Sequence, residues 1–547
     1  MPRASLEQGI RTVGYNPATG EWNDSLTGDY LWSNVNVSEA VPDVMTPSTW
    51  SLWQIYYYEA SPIKIPGNHR ICGNICGRPY LNLGLLVSLY RAIGKDIRQE
   101  LHGDMVGSAP PDLDMTIIPF SAFAVIRTTL PGMLQARRHV NRDKHQIPEF
   151  VAATPNWCHR IQRQIQETQS QAALIALWRK EIRPYFVESC WLLRGAAMLF
   201  SDPATKLHLD LIRLVGEVDA NALLSNLAGR AEELESLGPL IGLSQVARGE
   251  MRRETYLERY GHRGPHEMEL SSAGPEEDPH WLDRQLAGPA SPVDVETLLA
   301  KQRAEYAAAW QRFVARYPRK VKSIQKRVAG VAAAARTREA VRSEVTRITR
   351  TIRQFLLRAG ERTGLGDGVF FLSLEEMVDV LSGDTTPAAA IPARRETYHR
   401  YYALPPYPAL INGPFDPTRW AADPNRRSDY FDAHAAAVTT TVGKITGFAG
   451  AAGCVEGVVR RLHGPEEGDT LQPGEILVTV TTNVGWTPLF PRAAAIVTDV
   501  GAPLSHAAIV ARELGIPAVV GCGNATMRLK TGDWVRVDGG RGVIEML

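Results

Sequence analysis

The feature that most constrains this chain is a change of pattern near residue 450. From Leu83 to about Asn221, and again from Val293 to Leu357, apolar residues recur at three- and four-residue spacing among many Ala, Leu, Arg and Gln, which predicts helices. Beyond residue 450 the pattern becomes short β-branched runs, Cys454–Val459, Glu475–Val480, Ala495–Thr498, Ala518–Val520 and Trp534–Val537, each bounded by Gly, Pro or Asp. One helix is predicted among them, Ser505 to Leu514, stopped by Gly515 and Pro517. A chain of 547 residues also exceeds the ~250–300 at which single cores stop growing. We therefore expect a multi-domain protein: a mainly α-helical domain over 1–430, a polar, small-residue linker over 431–449, and a small α/β domain over 450–547. The run ALPPYPALINGPFDP at 403–417 is too rich in Pro and Gly for helix or central strand and marks the boundary region.

Composition removes several function classes. A net charge of +1 leaves no dominant electrostatic partner, and no nucleic-acid motif is present, so nucleic-acid binding is not expected. No stretch approaches ~18 consecutive apolar residues, and the start, MPRASLEQGIRTVGY, lacks the apolar middle of a signal peptide. Neither a membrane nor a secretory route is expected, which leaves the cytoplasm. The cysteines at 72, 76, 158, 190, 454 and 522 form no CxxC pair and read as buried reduced thiols, with no metal site. The aromatic cluster Trp50, Trp53, Tyr56, Tyr57 and Tyr58 reads as core or domain interface.

The chemistry concentrates in TDVGAPLSHAAIVARELGIPAVVG, residues 498–521. A strand ends at Thr498, a turn with Gly501 and Pro503 follows, and Ser505 and His506 fall at the first turn of a helix. Unpaired backbone N–H groups and the positive end of the helix dipole converge there, so an anion carried on the imidazole would be stabilised. A neutral histidine is also a competent nucleophile.

This segment resembles the phosphohistidine signature of phosphoenolpyruvate synthases, pyruvate phosphate dikinases and rifampicin phosphotransferases. The Pro-Leu-Ser-His form is nearer the antibiotic phosphotransferases, although Ala502 stands where many members have a second glycine and Leu504 where the synthases carry threonine. TGEWNDSLTGDYLWSNVNVSEAVPDVMTPSTWS at 19–51, NICGRPYLNL at 74–83 and YGHRGPHEME at 260–269 extend the resemblance into the helical region. It implies an acceptor-binding helical domain joined to a swivelling α/β phosphohistidine domain. His506 would take a phosphoryl group originating in ATP and pass it, beside Ser505, to a hydroxyl of a small organic acceptor.

In that family an ATP-grasp domain precedes the part resembled here. No GxxxxGK[ST] loop is present, and GLGDGV at 364–369 reads as a turn. ATP and Mg²⁺ are therefore expected on a separate ATP-grasp protein. The chain ends 41 residues after His506, so no phosphoenolpyruvate barrel and no pyruvate acceptor are expected. At the acceptor site, Arg263 is a candidate clamp for the moving phosphoryl group, and His262 or Glu267 a candidate acceptor of the hydroxyl proton. The competing reading is a structural turn fixed by an Arg–Glu pair. Residues 301–360 hold 16 Lys or Arg against three Glu. Within them Arg338 with Arg342, or Arg347 with Arg350, are spaced to share a helical face and receive the phosphohistidine. Rival functions are an enzyme in which phosphorylation only activates the substrate for elimination or condensation, and a non-catalytic binding protein.

Overall fold

The computed structural model describes residues 30–97, 116–225, 235–286, 295–434 and 444–547, apart from positions 36, 68, 425 and 504. Three long helices dominate it: α1 (Leu130–Glu167), α2 (Arg183–Leu224) and α3 (Val321–Thr363). Each presents an apolar stripe, and Ile147, Ile161, Phe186, Cys190, Val345, Ile352 and Phe355 meet in one buried cluster. Gly216, with φ +80°, breaks α2 near its end. Gly364, with φ +74°, caps α3, and the GLGDGV run read as a turn continues into a 3-10 helix, Gly366–Phe371. Among the described residues no helix is long and apolar enough to cross a membrane.

A five-stranded sheet, absent from the sequence reading, completes the helical part. Its order is β2-β3-β1-β4-β5, built from Leu31–Ser33 (β1), Cys72–Ile75 (β2), Arg78–Asn82 (β3), Leu410–Asn412 (β4) and Tyr430–Asp432 (β5). The boundary run 403–417 thus contributes an interior strand, against expectation. Only three residues pair, between Pro408 and a Gly413 with φ +83°, so the prolines are spared a ladder position. Trp50, Trp53 and Tyr56–Tyr58 pack beside this sheet around Met45 and Cys72.

The C-terminal module is an eight-stranded sheet in the order β6-β13-β12-β8-β9-β10-β11-β7. Its strands are Lys444–Thr446 (β6), Phe448–Ala451 (β7), Cys454–Arg461 (β8), Ile476–Thr479 (β9), Ala495–Thr498 (β10), Ala518–Val520 (β11), Trp534–Asp538 (β12) and Val543–Met546 (β13). All five anticipated strands are present. Residues 444–446 and 448–451, which overlap the expected linker, are instead strands, and 435–443 lie outside the described residues. The parallel set β8-β9-β10-β11 carries the helix α4 (His506–Leu514) after β10. Five of the six cysteines are buried free thiols as anticipated, but Cys454 is exposed at the start of β8.

The module is not loosely tethered in this structure. Leu207 and Leu211 of α2 and Val328 and Val331 of α3 share a core with Trp486, Phe490, Val510 and Leu514 of the module.

Candidate functional site

The loop between β10 and α4 explains why His506 stands where it does. Asp499, buried, accepts hydrogen bonds from the Thr526 N–H (2.9 Å) and the Ser428 hydroxyl (2.7 Å), anchoring the loop's base. Gly501 has φ +155°, and a Cβ there would lie 3.2 Å from both Ser505 Oγ and Val520 Cβ, so the position needs glycine. Ala502 does not have positive φ, hence the missing second glycine costs no strain. Ser505 is the N-cap of α4 in extended geometry, yet its hydroxyl caps nothing and is buried without a partner.

His506 is the first residue of α4 and only 7 % exposed. Its Nδ1 lies 3.1 Å from Thr482 Oγ1 and its Nε2 3.2 Å from Thr487 Oγ1, with the Phe490 ring edge-on at 5.9 Å. Burial, reinforced by Arg342, Arg263 and Arg338 against the opposing pull of Glu339, lowers its pKa to about 3. The ring is therefore neutral at physiological pH, with a lone pair available.

The helical part supplies the rest. The backbone N–H of His506 donates to Glu39 Oε1 at 3.0 Å, across 467 positions of sequence. Burial pushes the Glu39 carboxyl up to about 7, despite that hydrogen bond and the pull of Arg342 and Arg338. Arg338 pairs with Glu339 at 2.7 Å; Arg263 and Arg342 both pair with Glu267, at 2.7 and 3.2 Å. Burial raises Glu339, but Arg338, Arg342 and Arg263 outweigh it and hold its pKa at about 2. Arg263 is 3 % exposed, and its Nη1 and Nη2 have no partner. A cavity of about 450 Å³, lined by Arg263 with Leu240, Trp281, Val484 and Leu489, opens beside it.

Of the anticipated site residues, the structure brings Ser505, His506, Arg263, Arg338 and Arg342 together. Glu267 is close, but both its oxygens accept from arginines, so it positions Arg263 and Arg342. His262 is buried, its Nε2 2.9 Å from Ser343 Oγ, and burial with Arg347, Arg263 and Arg350 drives its pKa well below the usual value. It braces the loop to α3 rather than facing His506. Arg347 and Arg350 are engaged elsewhere: Arg347 pairs with Glu344 at 3.1 Å and donates to the Glu258 and Arg259 carbonyls, and Arg350 donates to that of Ser272. The 260–265 loop does reach the module, since Asn483 Nδ2 donates to the Pro265 carbonyl at 2.6 Å and a Cβ on Gly485 would strike Pro265. Glu39, Glu339, Thr482 and Thr487 escaped the sequence reading; Glu339 alone had a signal, lying between two arginines of the same helical face.

Parts of this chain resemble known proteins. Residues 471–542 match the family described as PEP-utilising enzyme, mobile domain. The chain carries a PEP-utilising enzyme mobile domain. His506 lies within the matched span of this mobile domain. Rifampicin phosphotransferase of Streptomyces sviceus is 29% identical over 320 residues, 54% of this chain and 34% of that protein. Chondramide synthase of Chondromyces crocatus is 33% identical over 320 residues, 54% of this chain and 8% of that protein. A probable phosphoenolpyruvate synthase of Pyrococcus abyssi is 50% identical over 100 residues, 18% of this chain and 12% of that protein. The matched segments thus span about a third or less of these relatives' own lengths.

Proposed function

We propose that this chain is a phosphotransferase component in which His506 carries a phosphoryl group and hands it to a hydroxyl of a small organic acceptor. The observation that carries the reading is a neutral, buried imidazole at a helix start, with only threonine hydroxyls on its ring nitrogens and three arginines around it. The unpartnered Ser505 hydroxyl and the free Nη1 and Nη2 of Arg263 suit a phosphoryl anion.

In transfer, the N–P bond to His506 breaks as the acceptor O–P bond forms. Arg263, Arg338 and Arg342 offset the charge on the moving group. With a proton on the ring nitrogen that carries no phosphoryl group, cleavage releases neutral imidazole. The acceptor's hydroxyl proton passes to Glu39, whose carboxyl is poised near neutrality, whereas Glu267 and Glu339 are tied to arginines.

The cluster does not suit a magnesium nucleotide. Among the described residues no three His, Cys, Asp or Glu side chains converge where a metal could be held, and two of the three carboxylates near His506 are arginine-paired. We assign ATP and Mg²⁺ to a separate ATP-grasp protein. The test is a single-turnover chase: the chain is phosphorylated on His506 and offered panels of hydroxyl compounds, with product phosphate measured by mass spectrometry. Transfer to at least one alcohol is expected. Loss of the phosphoryl group to water alone, across all acceptors, would refute the assignment.

A further inference from the structure

We propose that a second, larger cavity beside this site binds a planar aromatic molecule carrying a carboxylate or comparable oxyanion, with Arg78 as its anchor. The binding claim stands on geometry alone; only the further statement that this molecule is the acceptor rests on the phosphoryl-transfer reading.

The cavity, about 910 Å³, lies between the β2–β3 hairpin, the 402–407 segment and the mobile domain. A two-residue turn, Cys76 and Gly77, both with positive φ, sets Arg78 opposite Ile75 and so fixes where the arginine enters the cavity wall. Arg78 is 6 % exposed. Its guanidinium lies 4.1 Å over the Tyr407 ring, and Nη2 makes one long hydrogen bond, 3.4 Å, to the Leu404 carbonyl. Nε and Nη1 have no partner. A buried guanidinium satisfied so sparsely is unfavourable unless an anion completes it, and a carboxylate does so through two parallel bonds.

The cavity's own carboxylates are already engaged. Asp43 and Glu466 flank His266, at 2.7 and 3.2 Å, and Glu467 accepts from the His463 N–H at 2.9 Å. Tyr402, Tyr407 and Trp420 supply flat apolar walls, and the Trp420 indole N–H is buried without a partner. The same cavity is also lined by Ser38, Thr481 and Asn483, the chain neighbours of Glu39 and Thr482. A ligand anchored at Arg78 therefore shares its cavity with the chain neighbours of residues that hold His506.

The test uses fluorescence titration of the full chain with anilinonaphthalene sulfonate, a planar anionic probe, and with neutral phenylnaphthylamine. Arg78→Gln is expected to weaken the sulfonate about tenfold or more while leaving the neutral probe within about twofold. Tyr402→Ala, at a residue 54 % exposed, should weaken both probes without endangering the fold, and it carries the test if Arg78→Gln does not fold. His506→Ala should bind both probes normally, which separates a failure of this site from a failure of phosphoryl transfer. Equal sulfonate affinity in wild type and Arg78→Gln would overturn the proposal. Absence of saturable sulfonate binding, or unchanged affinity in Tyr402→Ala, would also overturn it.

Discussion

Arg338 and Arg342 lie one turn apart on α3, and Arg347 and Arg350 follow little more than a turn later, yet the two pairs are used differently. Arg338 pairs with Glu339, Arg342 shares Glu267 with Arg263, and both arginines lower the basicity of His506. The second donates to main-chain carbonyls of Glu258, Arg259 and Ser272, with Arg347 also paired to Glu344 at 3.1 Å, and fixes the loop that presents Arg263. Identical side chains on one helix thus separate into a pair beside His506, the clamp of the proposed transfer, and a scaffold. The separation is made by position: Arg338 and Arg342 stand close enough to His506 to lower its basicity, whereas Arg347 and Arg350 reach main-chain carbonyls of the loop.

Substitutions can break that comparison. Arg342→Ala should slow transfer from phosphorylated His506 by about 100-fold or more, since it removes charge stabilisation at the moving group. Arg347→Ala should change the same single-turnover rate by less than about threefold. Equal losses in the two variants would dissolve the distinction.

Glu39 sharpens it from the acidic side, because no arginine among the described residues pairs with it. The transfer rate should rise with pH through about 7 and then level, as the Glu39 carboxyl loses its proton. Glu39→Gln should remove that rise and slow transfer about tenfold, a modest effect because a loose phosphoryl transition state asks little of the base. A pH profile unchanged in Glu39→Gln would assign the proton elsewhere.

Arg350→Ala is expected to cost about 2 kcal/mol of stability, visible in denaturant unfolding, with little change in transfer by the protein that remains folded. The smallest effect belongs to His266, which joins Asp43 of the helical part to Glu466 of the C-terminal module. Burial opposes its protonation, but those two carboxylates raise its pKa to about 10. A raised value means that its contribution is complete below about 6.5 and fades as pH climbs toward 10. His266→Gln should therefore melt about 2 °C lower at neutral pH, and the gap from wild type should close by pH 10.

Legibility in the sequence followed the range of the interactions. Ala495–Thr498 and the helix ending at Gly515 were readable because a β-branched run and a glycine stop followed by proline are local signals. The β1–β5 sheet was not, since its strands are three to five residues long and Leu31–Ser33 pairs with Leu410–Asn412 from the far end of the helical part. The site divided in the same way. His506 and Ser505 announced themselves by position at a helix start, and Arg338 with Arg342 by spacing. Nothing local marks Glu39, whose role arises only when the chain folds back across hundreds of residues onto α4. The basic run could not reveal which of its arginines faced outward, inward or onto carbonyls.

The most direct test of the central claim is a map of where the folded chain accepts a phosphoryl group. Wild type and His506→Ala are treated with phosphoramidate, a small donor that needs no nucleotide domain, and digested at alkaline pH for mass spectrometry. The account predicts phosphate on His506 in wild type, discharged on addition of an acceptor alcohol, with no dischargeable phosphate in His506→Ala. Phosphate confined to other histidines, or an equal dischargeable pool in the variant, would contradict it.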